Sequence, residues 1–218
     1  MTLHADALAT LRAWQPPDAA QAALRDRYVA HLQAHPDALS RDCRPDHLTA
    51  STLVLSHDGT HVLLTLHRKA RAWFQFGGHP EATDTTLAGA ALREAVEESG
   101  LTDLALGPVP IHLDEHEVPF CGGSADGLLV HHLDVRFLAV APAEAVPVVS
   151  DESLDVRWWP VDALPGDDLG PLVAAALAVR AAGRPGRPGR PGQPGQSVSA
   201  GVNSEGGVIS AAADQPSR

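Results

Sequence analysis

Apolar side chains recur with two different periods along the chain, and each period predicts a different kind of element. Residues 3–14 and 18–35 carry apolar side chains at helical spacing, and Asp18 is placed to cap the second helix. The period then shortens, because stretches rich in Leu, Val and Thr at 48–56 and 61–67 predict two strands. A short turn containing an Asp-Gly pair joins these strands, so we expect a hairpin.

The chain then alternates short strands with isolated helices. A short extended piece at 73–76 precedes a helix predicted over about 85–99, and an alanine-rich helix is predicted at about 168–182. Strands around isolated helices predict an α/β fold in which a mixed sheet is covered on both faces. The remaining predicted strands lie near 104–108, 111–117, 128–140 and 154–159.

Composition divides the chain into three predicted parts. The two leading helices form an N-terminal helical extension over residues 1–44, and the strands and later helices form a globular domain over residues 45–182. Residues 183–218 begin with proline-glycine triplets and continue with Ser, Gly and Ala, which cannot bury a core. We therefore predict a disordered tail at the C-terminus.

Charge and cysteine content restrict the classes of function. The 218 residues carry a formal net charge of -11, which disfavours binding to a nucleic acid backbone. No run of eighteen apolar residues predicts a membrane span, and no signal peptide is recognisable. Cys43 and Cys121 form no C-x-x-C pair, so we expect neither a disulfide framework nor a structural zinc site. These features are typical of a cytoplasmic protein.

The helix predicted at 85–99 gathers like charges on one side. Glu94, Glu97 and Glu98 cluster nearly opposite its apolar side, although like charges at this spacing destabilise a helix by about 0.2–0.5 kcal/mol per pair. Either the carboxylates form a solvated acidic face, or a cation offsets their repulsion. The predicted packing side consists of Ala88, Leu92, Ala95, Val96 and Ser99.

The run GGHPEATDTTLAGAALREAVEESGL, residues 77–101, resembles the Nudix box. Its first half departs from the pattern, because Asp84 stands where the box has a glutamate and one extra residue separates it from Arg93. The extra residue lies where the loop becomes the helix, so the glutamates keep their mutual spacing. The second half matches in Arg93, Glu94, Glu97, Glu98, Gly100 and Leu101.

The resemblance implies a Nudix hydrolase with an α/β/α sandwich fold and a mixed sheet. Such an enzyme cleaves a diphosphate linkage in a nucleoside diphosphate derivative, with Mg2+ or Mn2+ as cofactor and a small-molecule diphosphate as partner. It also implies that Glu94, Glu97, Glu98 and the Gly77 carbonyl hold the metal, and that Arg93 orients a glutamate of the box. Carboxylate and carbonyl oxygens are the ligands that Mg2+ prefers.

Other roles in the site are assigned to sets of candidates. Family members take the general base from the box or from a loop outside it, and the substrate contacts lie near the metal loop, on the strands and beside the second strand. The candidates for the general base are Glu94, Glu115, Glu117 and Glu152. The candidates for substrate binding are His79, Glu81, Arg68, Trp158 and His132.

Strand geometry sets the expectations for several of these aromatic residues. Trp158 and Trp159 should point to opposite faces of a strand, one into the core and the other available to stack on a base. His112 and His116 should share one face of a strand, which is not the helical spacing of a zinc pair. For His132 a hydrogen bond within the sheet is expected, with contact to the cleft as the alternative.

Three alternatives stay open beside the hydrolase. Isopentenyl-diphosphate isomerases share the fold, but the position of their catalytic cysteine is Gly77 here, which argues against that activity. A Nudix domain that binds a nucleotide without hydrolysing it is the second alternative, and the intact glutamates argue against it. In the third, the N-terminal helices and the tail serve a structural role in a homodimer.

Overall fold

The computed structural model describes residues 1–118, 129–150 and 153–183. The chain divides by its contacts into two units, Met1–Arg184 and Pro185–Arg218. Predictions about Cys121, Glu152 and the tail lie outside the described residues, and the three-part division of the chain stays a prediction.

The helices form where the apolar periodicity predicts them, with their ends shifted by at most two residues. Asp18 caps the second helix as predicted, accepting a hydrogen bond from the Gln21 N–H at 2.8 Å. None of the helices among the described residues is long and apolar enough to cross a membrane. The α-helices are α1 (Leu3–Ala13), α2 (Ala19–Ala34), α3 (Leu87–Ser99) and α4 (Gly170–Gly183), the last preceded by a 3-10 turn at Asp167–Leu169.

The strands of the described region join one mixed sheet of eight strands. They are β1 (Asp46–Leu55), β2 (His61–His67), β3 (Trp73–Phe74), β4 (Phe76–Gly78), β5 (Ala105–Leu106), β6 (His112–Glu117), β7 (His131–Val140) and β8 (Ser153–Pro160). The sheet runs β3-β2-β1-β7-β5, while β4 pairs with β1, β6 with β7 and β8 with β2. Only the β1–β7 pair among these is parallel. The predicted hairpin of β1 and β2 is confirmed, and the extended piece predicted at 73–76 is divided between β3 and β4.

The sheet is covered on both faces, as predicted. Alternate side chains of β1 point to opposite faces, so Leu48 and Ala50 pack under α1, α2 and α3, whereas Leu53 and Leu55 pack under α4. All four side chains are fully buried. The result is an α/β/α sandwich whose central strand contributes to the core on both sides.

Helix α3 buries a wider side than the one predicted. Ala95 and Ser99 are buried, and Ala88, Leu92 and Val96 are half-buried against the core, while Leu87, Ala90 and Ala91 are buried in addition. The cause is a second packing partner, because α1 lies beside α3 and its apolar side chains share the core cluster with those of α3. The buried positions of α3 are Leu87, Ala90, Ala91, Ala95 and Ser99.

The N-terminal helices close an edge of the sheet. The Gln21 side chain in α2 accepts from the Leu113 N–H at 2.7 Å and donates to the Leu113 carbonyl at 3.0 Å, as a neighbouring strand would. The Tyr28 hydroxyl, whose pKa is raised by burial, donates to the Asp114 carbonyl on the same strand at 2.7 Å. The predicted extension is therefore packed into the same core as the sheet.

Asp6 links α1 directly to the first turn of α3. Its Oδ2 accepts a hydrogen bond from the Leu87 N–H at 2.8 Å, and this N–H has no partner within the helix.

We expect Asp6→Ala to lower the free energy of unfolding by about 1–2 kcal/mol, measured by urea denaturation. Asp26→Ala removes an exposed carboxylate from α2 and is the matched control, for which we expect a change within about 0.5 kcal/mol. Equal effects of the two substitutions would contradict this role of Asp6.

Candidate active site

The position of α3 is fixed at both of its ends. Thr86 caps the N-terminus, where its hydroxyl oxygen accepts from the Gly89 N–H at 3.0 Å. Gly100 ends the helix in the left-handed conformation, with φ of 71°, which favours glycine. These caps set the register that places the glutamates of the last two turns opposite the end of β4.

Two glutamates of α3, Glu94 and Glu98, meet the glycine pair at the end of β4, and a third, Glu97, is joined to them through Arg93. The Gly77 N–H donates to Glu98 Oε1 at 3.0 Å. A methyl group on Gly78 would lie only 2.7 Å from Glu94 Oε1, so the absence of a side chain permits this approach. Arg93 Nη1 donates to Glu94 at 3.1 Å and to Glu97 at 2.9 Å. The three carboxylates are thus gathered around a glycine pair and one guanidinium.

The carboxylates differ in their access to solvent. The Glu97 side chain is 57% exposed, whereas the Glu94 side chain is 17% exposed beside Gly78. Together they form a set of oxygen donors that is open on one side, which suits a hard divalent cation that keeps several waters. The roles of Glu94, Glu97, Glu98 and Gly77 as metal ligands stay predictions.

Arg93 also binds the loop that precedes the helix. Its Nη2 donates to Asp84 Oδ2 at 3.0 Å and to the His79 carbonyl at 3.2 Å, and its Nη1 lies 3.8 Å from Glu81 Oε1. Asp84 Oδ2 accepts in addition from the Glu81 N–H at 2.7 Å. The extra residue is therefore absorbed in the loop, and Asp84 joins the loop to the helix through Arg93.

The pKa values of Arg93 and Asp84 are both shifted in the direction that favours their charged forms. The hydrogen bond to Asp84 is the largest influence on Arg93 and raises its pKa, against the opposing effect of burial. Burial alone would raise the pKa of Asp84, but the hydrogen bonds from Arg93 and the Glu81 N–H outweigh it and lower that pKa. Both groups therefore stay charged across the neutral range.

One face of the sheet beside the glycine pair carries polar side chains. Asp134 is at its centre and accepts from Thr49 at 3.0 Å, Ser51 at 2.7 Å, Gln75 at 3.3 Å and Arg136 Nε at 2.9 Å. We call this surface the polar face. It consists of His47, Thr49 and Ser51 on β1, His132, Asp134 and Arg136 on β7, and Asp114 and His116 on β6.

Most residues of the polar face are not among the predicted site residues, although the sequence of β7 carries a local signal for it. In β7 the polar residues His132, Asp134 and Arg136 alternate strictly with apolar ones, which is the period of a strand with one polar side. The register of β6 continues the network, because Arg136 Nη2 donates to Asp114 at 2.8 Å and His116 Nδ1 contacts the same carboxylate at 2.8 Å.

Two histidines predicted to bind substrate lie together at the end of the polar face. The rings of His79 and His132 are 4.9 Å apart between centroids. Burial, with the nearby charges, lowers the pKa of His79 to about 4 and that of His132 to about 3, so both are neutral near pH 7. The Nε2 of His132 is buried without a hydrogen-bond partner among the described residues, and a hydrogen bond of this histidine within the sheet stays a prediction.

Two other predicted substrate contacts lie on neighbouring strands. Arg68 follows β2 and donates to the Ser153 carbonyl at 3.2 Å. Trp158 packs against the hydrophobic cluster that includes Phe76, on the opposite face of β8 from Trp159. The predicted opposite orientation of the two tryptophans is confirmed, and stacking of Trp158 on a base stays a prediction.

The candidates for the general base have different surroundings. Glu115 is held by Arg27, which donates to its two oxygens at 2.6 and 2.7 Å. Glu117 is exposed at the end of β6, and Glu152 lies outside the described residues. Of the four candidates, Glu94 is the one that lies against the glycine pair.

The chain is similar to known proteins both in sequence and in structure. The sequence profile of the NUDIX domain matches residues 45–178, more than half of the chain. No curated protein is significantly similar in sequence. Similar solved structures include an Ap4A hydrolase of C. elegans in a binary complex, 18% identical over 62% of this chain and 98% of that chain, with a TM-score of 0.49. A NUDIX-family hydrolase of Clostridium perfringens is 24% identical over 62% and 97% of the two chains, with a TM-score of 0.46.

Asp84→Asn tests the link between the loop and the helix through its pH dependence. Because the folded-state pKa of Asp84 lies below its ordinary value of 3.8, its charge stabilises the fold at neutral pH, and this contribution disappears as pH falls through the lowered pKa. We expect the substitution to lower the free energy of unfolding by about 1–3 kcal/mol at pH 7, with a smaller difference from the unsubstituted protein below about pH 4.

The matched control is Asp155→Asn, which breaks a surface pair with Arg157 and should cost less than about 1 kcal/mol at pH 7. Urea denaturation at several pH values measures both variants. A cost for Asp84→Asn that does not change with pH would contradict an ionised carboxylate at this position.

Proposed function

We propose that this chain, which belongs to the NUDIX family, is an Mg2+- or Mn2+-dependent hydrolase that cleaves a diphosphate linkage in a nucleoside diphosphate derivative. The observation that carries the proposal is the meeting of Glu94 and Glu98 with the Gly77–Gly78 pair at the end of β4, with Arg93 binding both Glu94 and the exposed Glu97 beside them.

The charge balance of the site favours a bound cation. Arg93 contacts Glu81, Asp84, Glu94 and Glu97, so a single positive charge is shared by four carboxylates. Glu98 adds a fifth negative charge beside the Gly77 N–H. A divalent cation held by Glu94, Glu97, Glu98 and the Gly77 carbonyl would offset this excess, and these oxygen donors are of the type that Mg2+ and Mn2+ select.

The residues of the chain have separable roles in the proposed reaction. The cation, when bound, supplies neutralisation of the diphosphate and activation of the attacking water. Arg93 orients Glu94 and Glu97 through its Nη1, and the Gly77 N–H orients Glu98. Glu94 is our preferred general base, because Glu115 is neutralised by Arg27. Glu117 and Glu152 remain alternatives.

The substrate contacts are proposed for the loop and the adjoining strands. We assign them to His79, Glu81, Arg68, Trp158 and His132. His79 and His132 would recognise substrate through neutral nitrogens, because burial keeps their pKa values well below 7. Positive charge for the phosphates would then come from the cation and from Arg68. The cytoplasmic location and the homodimer stay predictions.

The isomerase alternative is disfavoured by the space around Gly77. A Cβ atom at this position would lie 2.3 Å from the Ser51 Cβ and 2.9 Å from the Ala50 carbonyl oxygen. A cysteine therefore does not fit between β4 and β1 without a shift of the backbone.

The second alternative, nucleotide binding without hydrolysis, differs from our proposal only in turnover.

Turnover by paired variants separates the two functions. We expect one class of substrate to be hydrolysed in the presence of Mg2+ or Mn2+, among nucleoside triphosphates, oxidised dNTPs, nucleotide sugars, ADP-ribose and dinucleoside polyphosphates. Glu97→Gln and Glu98→Gln should each reduce kcat by about 100-fold or more, because each removes a carboxylate proposed to hold the cation that stabilises the transition state. The measurement is a phosphate-coupled assay with separation of the nucleotide products.

Glu144→Gln is the control, since Glu144 is an exposed glutamate outside the helix, and its kcat should match that of the unsubstituted protein. Nucleotide binding without turnover, unaffected by Glu97→Gln and Glu98→Gln, would replace the hydrolase with a binding function.

A further inference from the structure

Three histidines at the end of the polar face lie at metal-binding distances from one another. One ring nitrogen from each of His47, His79 and His132 lies within 4.8 Å of the others, and the Nε2 atoms of His47 and His79 are 3.0 Å apart. Two nitrogens bound to a tetrahedral Zn2+ at 2.0–2.1 Å are separated by about 3.3 Å. The observed spacing therefore needs only small side-chain movements to hold an ion. We call these residues the three-histidine cluster.

Three backbone elements present the cluster. His47 and His132 are directly opposite each other in the parallel pairing of β1 with β7, so their side chains leave the same face of the sheet. His79 comes immediately after β4, which pairs with β1 on its other side. The positions of the three imidazoles are thus set by strand register, which makes the cluster a built feature of the fold.

Hydrogen bonding leaves the nitrogens of two histidines suited to an ion. His47 Nδ1 lies 3.2 Å from the Cys43 carbonyl and donates a hydrogen bond to it, which leaves the lone pair on Nε2. A carbonyl or carboxylate on the second nitrogen is the usual support of a metal-binding histidine. His132 Nε2 is buried without a partner among the described residues, which costs stability unless a ligand satisfies it.

Arg41 determines which ring nitrogen of His79, the third histidine, carries the proton. Its Nη2 lies 3.3 Å from His79 Nδ1, and a guanidinium only donates, so Nδ1 accepts and the proton of His79 is on Nε2. That proton explains the contact with His47 Nε2. Binding of an ion to His79 Nε2 requires transfer of this proton to Nδ1 and movement of Arg41, whose side chain is exposed.

We propose that the three-histidine cluster binds a transition metal ion of the Zn2+ class, at a site separate from the carboxylates of α3. Imidazole nitrogens suit Zn2+, Co2+ and Ni2+, whereas Mg2+ prefers oxygen. Three protein ligands leave a fourth position for water or a substrate oxygen, so that with an ion bound His79 and His132 would meet substrate through the ion and not through free nitrogens. The strand pair His112 and His116 does not supply this site.

The two sites share one segment of backbone. The His79 carbonyl accepts from Arg93 Nη2 at 3.2 Å, while its imidazole belongs to the cluster. An ion in the cluster therefore holds His79, the residue that follows the Gly77–Gly78 pair of β4. Occupancy of one site restrains the loop that serves the other.

Co2+ binding by the full chain without a histidine tag tests the proposal. The Glu97→Gln, Glu98→Gln double variant is used, so that carboxylate binding is removed and the result does not depend on hydrolysis. We expect one Co2+ per chain with the intense visible absorption of four-coordinate Co2+, displaced by Zn2+. His79→Ala and His132→Ala should each weaken binding by about 100-fold or more, since even residues that only support ligands contribute 10–100-fold.

The control variant is His61→Gln, at the far end of β2, which should bind Co2+ as tightly as the parent. Arg41→Ala should bind as tightly or more tightly, because it removes the competing hydrogen bond to His79. Circular dichroism verifies that each variant is folded. If His132→Ala unfolds, His79→Ala still tests the site, because it changes a loop residue. Absent binding, a six-coordinate spectrum, or equal affinity in the histidine variants would overturn the proposal.

Discussion

The close approach of β4 to both β1 and α3 is the constraint on which the candidate site depends. A Cβ atom on Gly77 would collide with Ser51 of β1, and one on Gly78 would collide with the Glu94 carboxylate. Two adjacent glycines therefore let the chain pass between the sheet and the helix. Without this passage, the glutamates of α3 and the backbone of the loop would not meet, and the proposed cation would lose its mixed set of ligands.

Arg93 and Asp84 hold this arrangement together. The guanidinium binds carboxylates of the helix and the backbone of the loop, so like charges that repel one another are kept in place before any cation binds. Asp6 and the core of α1 support the same helix from behind. The acidic cluster is thus supported by both an ion-pair network and the N-terminal helices.

Local patterns predicted the elements and the box, but not the contacts between distant segments. The periods of β1, β2 and α3 are readable because each reflects burial within a few residues. The buried side of α3 was predicted too narrowly, since α1 also packs on it from eighty residues upstream in sequence, a contact that no local pattern contains. The cluster of His47, His79 and His132 was missed for the same reason, because only the parallel register of β1 with β7 brings two of its members together.

The central claim is that the glutamates of α3 and the glycine pair at the end of β4 hold a catalytic divalent cation. Anomalous diffraction from crystals grown with Mn2+ locates that ion directly. The account predicts a peak at coordinating distance from Glu94, Glu97, Glu98 and the Gly77 carbonyl, and its loss in Glu97→Gln, Glu98→Gln crystals. Ordered crystals with saturating Mn2+ and no peak beside these carboxylates would contradict it.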